Sequence, residues 1–186
     1  MRYFCLTIAL IFSLSSFAQH QASEWSFSFG ANLINNLGLR SPYNSPDEWA
    51  FKHPISFSAN KLISDSFSAD VALSLNGFNS GKTVDGFELP EDETYFATDL
   101  HANYHIGRDL LWDHRSWLDV YVSAGPGLFI VKETNLSLNA GVGAVAWLNS
   151  AHSFGIKVQS VAKFALGQEP VDSNHFQHHL QFVFCL

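Results

Sequence analysis

Cysteine is scarce in this sequence, with only Cys5 and Cys185 among 186 residues. Cys5 lies in an N-terminal stretch that we expect to be removed, which leaves Cys185 as the single thiol. One cysteine cannot form an internal disulfide, so the composition excludes a small disulfide-stapled secreted domain. Charged residues are also scarce, at 15% of the chain, against about a quarter in a typical soluble domain.

Basic residues are outnumbered by acidic ones. The chain has 10 Lys and Arg against 17 Asp and Glu, which gives a formal net charge of −7. Loss of Arg2 with the N-terminal stretch would change this charge to −8 (−7 minus 1). Nucleic-acid binding needs a basic footprint, so we expect no nucleic-acid partner.

The first residues have the pattern of a secretory signal peptide. Arg2 supplies the positive charge, residues 6–14 supply an apolar core, and Ser16-Phe-Ala18 supplies small residues at the cleavage site. The apolar run is shorter than the roughly 20 residues that a transmembrane helix needs. We therefore predict a signal peptide over residues 1–18 and one domain over residues 19–186.

Beyond residue 18 the sequence has no apolar run long enough for a transmembrane helix, yet 47% of the chain is hydrophobic and 15% is aromatic. An exported chain of this kind can still enter a membrane if its apolar residues alternate along strands. The last residues show such alternation, with Phe176, Leu180, Phe182, Phe184 and Leu186 on one face and His178 as its only polar member. Successive side chains of a strand point to opposite faces.

Eight segments share this two-residue period, and most have the roughly 9–11 residues that a tilted strand needs to cross a bilayer. They cover residues 24–33, 55–62, 67–75, 96–106, 118–125, 136–148, 154–164 and 175–186. Short and long links alternate, apart from a link of about ten residues over 107–117 that we place on the periplasmic side by parity. The links after the fifth and seventh segments are intermediate, and Gly125-Pro-Gly127 is predicted to bend the chain at the rim.

This organisation predicts an all-β fold, an eight-stranded antiparallel up-and-down transmembrane β-barrel. Lipid cannot satisfy backbone amides, so only helices or closed barrels can span it. Pairing the first strand with the last removes the exposed edges. Eight strands leave an interior that side chains can fill.

Several strings resemble the small outer-membrane β-barrel domain family of the OmpA/OmpX type, in its Bacteroidetes version. They are Trp25-Ser-Phe-Ser-Phe-Gly-Ala, Ser45-Pro-Asp-Glu-Trp-Ala, Tyr121-Val-Ser-Ala-Gly-Pro-Gly and Asn174-His-Phe-Gln-His-His. In OmpA-like members a peptidoglycan-binding domain follows the barrel, and the resemblance does not extend to that domain. It implies a place in the cell outer membrane, contact with outer-membrane lipids and lipopolysaccharide, insertion by the barrel assembly machinery, and a monomer. The family usually ends in Phe, where this chain has Cys185-Leu186.

A set of polar residues is predicted to face the barrel lumen and form a network. These are Asp70, Asp99, His101, Asp119, Tyr121, Lys157 and Lys163. Buried charges need partners, so we interpret the set as ion pairs and hydrogen bonds that plug a narrow lumen. The alternative is a gated ion path through the same residues.

The second long link is acidic. It holds Asp85, Glu88, Glu91, Asp92 and Glu93 against Lys82. Clustered carboxylates can hold divalent cations, but we interpret this segment as a solvated acidic loop.

The histidines of the last segment do not predict a metal site. His175 and His179 share a face but lie about 13 Å apart on a strand, and His178 points the opposite way. Zinc needs all its ligands about 2 Å from the ion. We therefore expect no metal and no cofactor.

The predicted function is a structural or surface-interaction role in the outer membrane, without enzymatic activity. Three alternatives stay open: a narrow passive pore, a lipid-modifying enzyme at the outer rim, and a secreted lipocalin-like barrel with its apolar face inward. The rim enzyme would need Ser173, His175 and an acid from 91–93 to converge, and no spacing motif joins them.

Overall fold

The computed structural model describes residues 25–35, 46–84, 86–106, 117–167 and 174–186. The predicted signal peptide, Asp85, Ser173 and most of the link over 107–117 lie outside the described residues. Within the described ranges, no helix has the length and apolar composition needed to cross a membrane.

The described residues form ten strands. They are β1 (Trp25–Ile34), β2 (Ile55–Leu62), β3 (Phe67–Phe78), β4 (Thr83–Val84), β5 (Phe87–Glu88), β6 (Glu93–His105), β7 (Leu118–Ile130), β8 (Thr134–Trp147), β9 (Phe154–Ala165) and β10 (His175–Cys185). Eight of them close into a barrel in the order β1-β10-β9-β8-β7-β6-β3-β2, and all pairs are antiparallel. The predicted eight-stranded barrel is confirmed.

Closure is made by β1, which pairs with both β2 and β10. Phe29 lies opposite Phe182 across the β1–β10 seam, and their ring centroids are 5.9 Å apart. The connections over 63–66 and 148–153 lie at the same end of the barrel as Trp25 and Leu186, and we call this the turn end. The opposite end, which carries the β1–β2, β3–β6, β7–β8 and β9–β10 links, is the loop end.

Apolar side chains cover the outside of the barrel. Leu73, Leu100 and Phe182 are 44%, 50% and 46% exposed, whereas the alternate residues Ser74 and Asp99 are buried inside the cylinder. A lipocalin-like barrel would have the opposite arrangement, so that alternative is wrong. An apolar exterior around a polar lumen is the arrangement that lipid requires.

Aromatic residues border this apolar exterior at the turn end. Trp25 and Trp117 are exposed there, and the rings of Phe67 and Tyr104 lie 5.0 Å apart. Rings with a polar tip are favoured at the level of lipid headgroups.

Strand β7 runs through Gly125-Pro-Gly127 to Ile130, so the predicted bend at the rim is wrong. A Cβ atom on Gly125 would overlap the carbonyl oxygen of Leu100, so glycine allows β6 and β7 to approach closely there. The β6–β7 pairing is interrupted between Asp99↔Gly127 and Ala102↔Ala124. Pro126 lies in this gap and has no N–H to donate to β6.

Two connections at the loop end also differ from the prediction. Because β7 is longer than expected and β8 begins at Thr134, their link is a three-residue turn over 131–133 and not an intermediate loop. β3 continues to Phe78 and β6 begins at Glu93, which shortens the second link. That link contains the β4–β5 hairpin, which is too short to produce a periodic signal in the sequence.

Candidate functional site

The lumen is closed at the loop end by a cluster of buried apolar side chains, which we call the apolar cap. Its members are Ile34, Ala50, Phe78, Val84, Leu89, Tyr95, Ala97 and Phe129. Tyr95 and Phe129 stack at the centre with ring centroids 6.1 Å apart. Val84 and Leu89 belong to the segment that contains the β4–β5 hairpin, so this segment folds against the ends of the strands.

The sequence interpretation missed the apolar cap. Phe78, Tyr95 and Phe129 are inward-facing residues that lie just beyond the predicted ends of their strands. The signal was present, because extending each alternation by one to four residues places a large apolar side chain on the polar face. Large apolar side chains on the polar face at three strand ends indicate that the lumen is closed at that end.

Below the apolar cap, Lys163 forms an ion pair with Asp99. The ammonium lies 2.9 and 2.7 Å from the two carboxylate oxygens, and the side chains are 0% and 2% exposed. Asn139 donates a second hydrogen bond to Asp99 at 2.8 Å and lies 3.4 Å from the ring nitrogen of His101. Hydrogen bonds that involve charged groups are stronger than those between neutral groups.

A second ion pair lies across the middle of the lumen. The Lys157 ammonium is 3.5 Å from Asp70 and 3.3 Å from the Ser58 hydroxyl. Gln181 on β10 donates to Ser56 on β2 at 3.0 Å. The Lys157–Asp70 pair joins strands on opposite walls, Gln181 and Ser56 join the two neighbours of β1, and together these polar side chains fill the cylinder.

The lumen at the turn end holds a hydrogen-bonded chain of three side chains. The Ser68 hydroxyl lies 2.9 Å from Nε2 of His105, and Nδ1 of His105 lies 2.9 Å from the Asp119 carboxylate. The Tyr121 ring lies 5.6 Å from the His105 ring. A cavity of about 70 Å³ lies beside these residues, and we call it the turn-end chamber.

The structure divides the seven predicted lumen residues among these levels. Asp99, Lys163 and His101 lie below the apolar cap. Asp70 and Lys157 form the central pair, and Asp119 and Tyr121 line the turn-end chamber. All seven are buried. Ser68 and His105 were not among the predicted site residues.

The acidic residues of the second link that the structure describes do not form one cluster. Glu88 belongs to β5, Glu93 belongs to β6 and lies 3.2 Å from Lys132, and Glu91 is exposed. Asp92 binds Lys52, and the backbone N–H of Ser80 donates to it at 2.8 Å. The hydrogen bond from Lys52 holds the pKa of Asp92 below its usual range.

The first two loops are bound to each other above the barrel. The Lys82 ammonium donates to the backbone carbonyls of Asp47 and Trp49, and Glu48 accepts the Thr83 N–H at 2.8 Å. The Trp49 ring stacks on His178 of β10 at 5.3 Å. We call residues 46–52 together with 79–84 and 86–92 the loop platform.

The histidines of β10 lie in three different environments. His178 contacts Trp49 outside the barrel, His179 is buried in the lumen, and His175 lies under the apolar cap, where its ring bonds to the Tyr95 hydroxyl at 2.8 Å. His175 therefore faces the lumen and is not exposed at the outer rim. In the part of the chain that the structure describes, no three His, Cys, Asp or Glu side chains are grouped to hold a metal ion.

No protein-family model matches this sequence, and no curated protein matches it. Solved structures do match. Neisserial surface protein A is 13% identical, with a TM-score of 0.58 over 88% of this chain and 97% of that one. The fold is that of the small outer-membrane β-barrels.

Two further matches agree. The N-terminal β-barrel domain of Pseudomonas aeruginosa OprF is 15% identical, with a TM-score of 0.55 over 89% of this chain and all of that one. Ail, the attachment invasion locus protein of Yersinia pestis, is 11% identical, with a TM-score of 0.51 over 89% and 99%. The shared fold and the apolar exterior together place this barrel in the outer membrane.

Proposed function

We propose that this barrel is a structural and surface-interaction protein that has no open passage through its lumen. In this proposal the strands anchor the protein as a monomer against outer-membrane lipids and lipopolysaccharide after insertion by the barrel assembly machinery. The loop platform is the part that contacts other molecules. The acidic and aromatic residues of the platform carry no enzymatic activity.

The closure of the lumen at two levels carries this proposal. An ion that entered from the loop end would meet the apolar cap, whose largely hydrocarbon side chains do not replace its water shell. It would next meet the buried Lys163–Asp99 pair. Separating such a pair leaves uncompensated buried charges, which costs about 3–5 kcal/mol.

The contacts within the loop platform support the surface-interaction role. Lys82, Glu48 and Lys52 each join one loop to the other, and Trp49 holds the first loop against β10. Loops that are already ordered lose less conformational entropy when they bind a partner. Ail is a protein of the same fold that is named for attachment, and we extend only that general class of role to this chain.

Single-channel recording in planar bilayers tests the closed lumen. We expect the purified, refolded protein to give the same current as lipid alone. Phe129→Ala should give measurable current steps or leak, because it removes the central ring of the apolar cap. Phe164→Ala is the matched control, since it removes an exposed aromatic ring from the outside of the barrel and should leave the current at the lipid level.

Discrete steps in the unmodified protein would contradict the proposal and favour the narrow passive pore. Folding of each variant is checked by heat-modifiable migration on gels, so that a misfolded variant is not read as a closed one.

A further inference from the structure

A second apolar cluster lies inside the lumen at the turn end, where most other inward-facing side chains are polar. Tyr121, Val145 and Val183 are buried and packed together, and the half-buried Trp147 packs against them. All four side chains line the turn-end chamber. Ligand sites in proteins commonly combine an apolar wall with a few polar groups that fix the orientation of the ligand. The apolar wall of this chamber therefore favours a ligand that has an apolar part.

Glycine at position 143 leaves room for the ring of Tyr121 along the barrel wall. The two residues lie opposite each other in the β7–β8 pair. A Cβ atom on Gly143 would lie 2.4 Å from both Cζ and the hydroxyl oxygen of Tyr121. The ring therefore covers the glycine of the neighbouring strand, and the chamber remains beside it.

Two buried polar groups of the chamber wall lack hydrogen-bond partners. Tyr121 and Asn103 are only 2% and 3% exposed, and both line the chamber. The Asn103 amide nitrogen donates to Ser68 at 3.3 Å, but the Asn103 carbonyl oxygen and the Tyr121 hydroxyl have no partner among the described residues. Leaving such groups unsatisfied costs free energy. A ligand with one donor and one acceptor would satisfy both of them.

The charged groups that line the chamber already have partners within the protein. The Lys157 ammonium lies 3.5 Å from Asp70 and 3.3 Å from the Ser58 hydroxyl. The Asp119 carboxylate accepts a hydrogen bond from the His105 ring at 2.9 Å. A charged ligand would be buried here without an opposite charge of its own, which is costly. The chamber therefore favours an uncharged ligand.

The volume and the position of the chamber limit the ligand further. An apolar cavity of about 150 Å³ can hold benzene, so the chamber of about 70 Å³ holds about three or four non-hydrogen atoms. Its partly exposed lining residues include Ser26, Leu62, Trp147 and Cys185, which lie at the turn-end termini of β1, β2, β8 and β10. The chamber thus meets the surface at the turn end, while the apolar cap closes the opposite end.

We propose that the turn-end chamber is a binding site for short aliphatic alcohols of about three carbons. The ligand hydroxyl donates to the Asn103 carbonyl oxygen and accepts from the Tyr121 hydroxyl, and the alkyl chain packs against Val145 and Val183. A hydroxyl is the smallest neutral group that can donate and accept at once. This binding goes beyond the surface-interaction role and does not depend on the loop platform.

Methyl NMR of the barrel in phosphatidylcholine nanodiscs tests the proposal, with valine methyl groups labelled and propan-1-ol as the probe. The Val145 and Val183 methyl signals should shift and saturate at millimolar alcohol, the range expected for so small a ligand. Val142 is the internal control for alcohol that dissolves in the lipid, because it is 58% exposed on the outside of the same strand as Val145. Its signal should change in proportion to concentration without saturating.

Two charged probes of the same length test the preference for an uncharged ligand. Propylammonium chloride and sodium propionate should give no saturating shift of Val145 or Val183 at the concentrations where propan-1-ol saturates. Saturation by either salt at the same concentration as the alcohol would overturn the assigned ligand class.

Tyr121→Phe tests the hydroxyl contact, since it removes one oxygen and keeps the ring. This variant should bind propan-1-ol about 3–10-fold more weakly, as expected for the loss of one hydrogen bond. Tyr104→Phe is the matched control, because it removes a hydroxyl from the outside of the neighbouring strand, where the ring packs against Phe67. It should leave the affinity unchanged. Heat-modifiable migration checks that both variants are folded.

Proportional, unsaturated shifts at Val145 and Val183 in the unmodified protein would show that the chamber holds water only, and they would overturn the proposal. Equal affinity of Tyr121→Phe and the unmodified protein would overturn the hydroxyl contact. None of these readouts depends on ion current, so a failure here is distinguishable from a failure of the closed-lumen proposal.

Discussion

Lys163 and Asp99 illustrate how single residues hold the lumen together. Their side chains have almost no exposure, and Asn139 adds a further hydrogen bond to the carboxylate. A buried pair of this kind adds little net stability over well-packed apolar residues, but removal of one partner leaves a bare charge. The pair therefore favours one arrangement of the lumen over others.

Lys163→Ala should lower the free energy of unfolding by about 3–5 kcal/mol, because Asp99 stays buried without its cation. The measurement is urea unfolding of the barrel in lipid vesicles, followed by tryptophan fluorescence. Lys132→Ala is the control, since its pair with Glu93 is partly exposed and should contribute about 0–1 kcal/mol. The double change Lys163→Met with Asp99→Leu should recover most of the loss, and no recovery would contradict this account.

At the scale of elements, β7 shows how glycine and proline are accommodated inside a barrel strand. Gly125 lets the Leu100 carbonyl of β6 approach, and Pro126 lies where the β6–β7 pairing is interrupted. On its other side β7 pairs with β8 without interruption, and Pro126 lies opposite Leu138. β7 thus stays continuous with β8, while its pairing with β6 is locally interrupted.

Gly125→Ala should destabilise the barrel, because the new methyl group would meet backbone atoms of Leu100 and His101 that cannot move without parting the two strands. We expect a loss of about 1–3 kcal/mol, the usual range for overpacking, measured by urea unfolding. Ala124→Val is the control, since Ala124 is exposed on the outside of the same strand. Equal stability of Gly125→Ala and the unmodified protein would show that β6 and β7 are not held closely there.

The number and the faces of the strands could be predicted from the sequence, because alternation holds wherever one side meets lipid and the other meets polar groups. The alternation failed at the loop end, where the apolar side chains of Phe78, Tyr95 and Phe129 point into the lumen. The strands were therefore predicted to end too early. The alternation also missed the hydrogen bonds that join Ser68 to His105 and His105 to Asp119. Those residues come from three strands, and only the register of the closed barrel brings them together.

At the scale of the whole molecule, the barrel is asymmetric along its axis. The loop end carries the ordered loop platform above the apolar cap, and the turn end contains the turn-end chamber, lined by polar residues such as Asn103, His105 and Asp119. The two ends therefore differ in chemistry, but both depend on the same arrangement of an apolar outside and a polar inside.

The most direct test of that arrangement is collisional spin-label accessibility in lipid bilayers. Nitroxides are placed singly at Leu73, Leu100 and Leu180 in a Cys185→Ser background, with Glu91 in the loop platform as the aqueous control. The three strand sites should collide readily with oxygen and hardly at all with a water-soluble nickel chelate, whereas Glu91 should show the reverse. Nickel collisions at the strand sites, or shielding of those sites from both reagents, would contradict the membrane-spanning barrel.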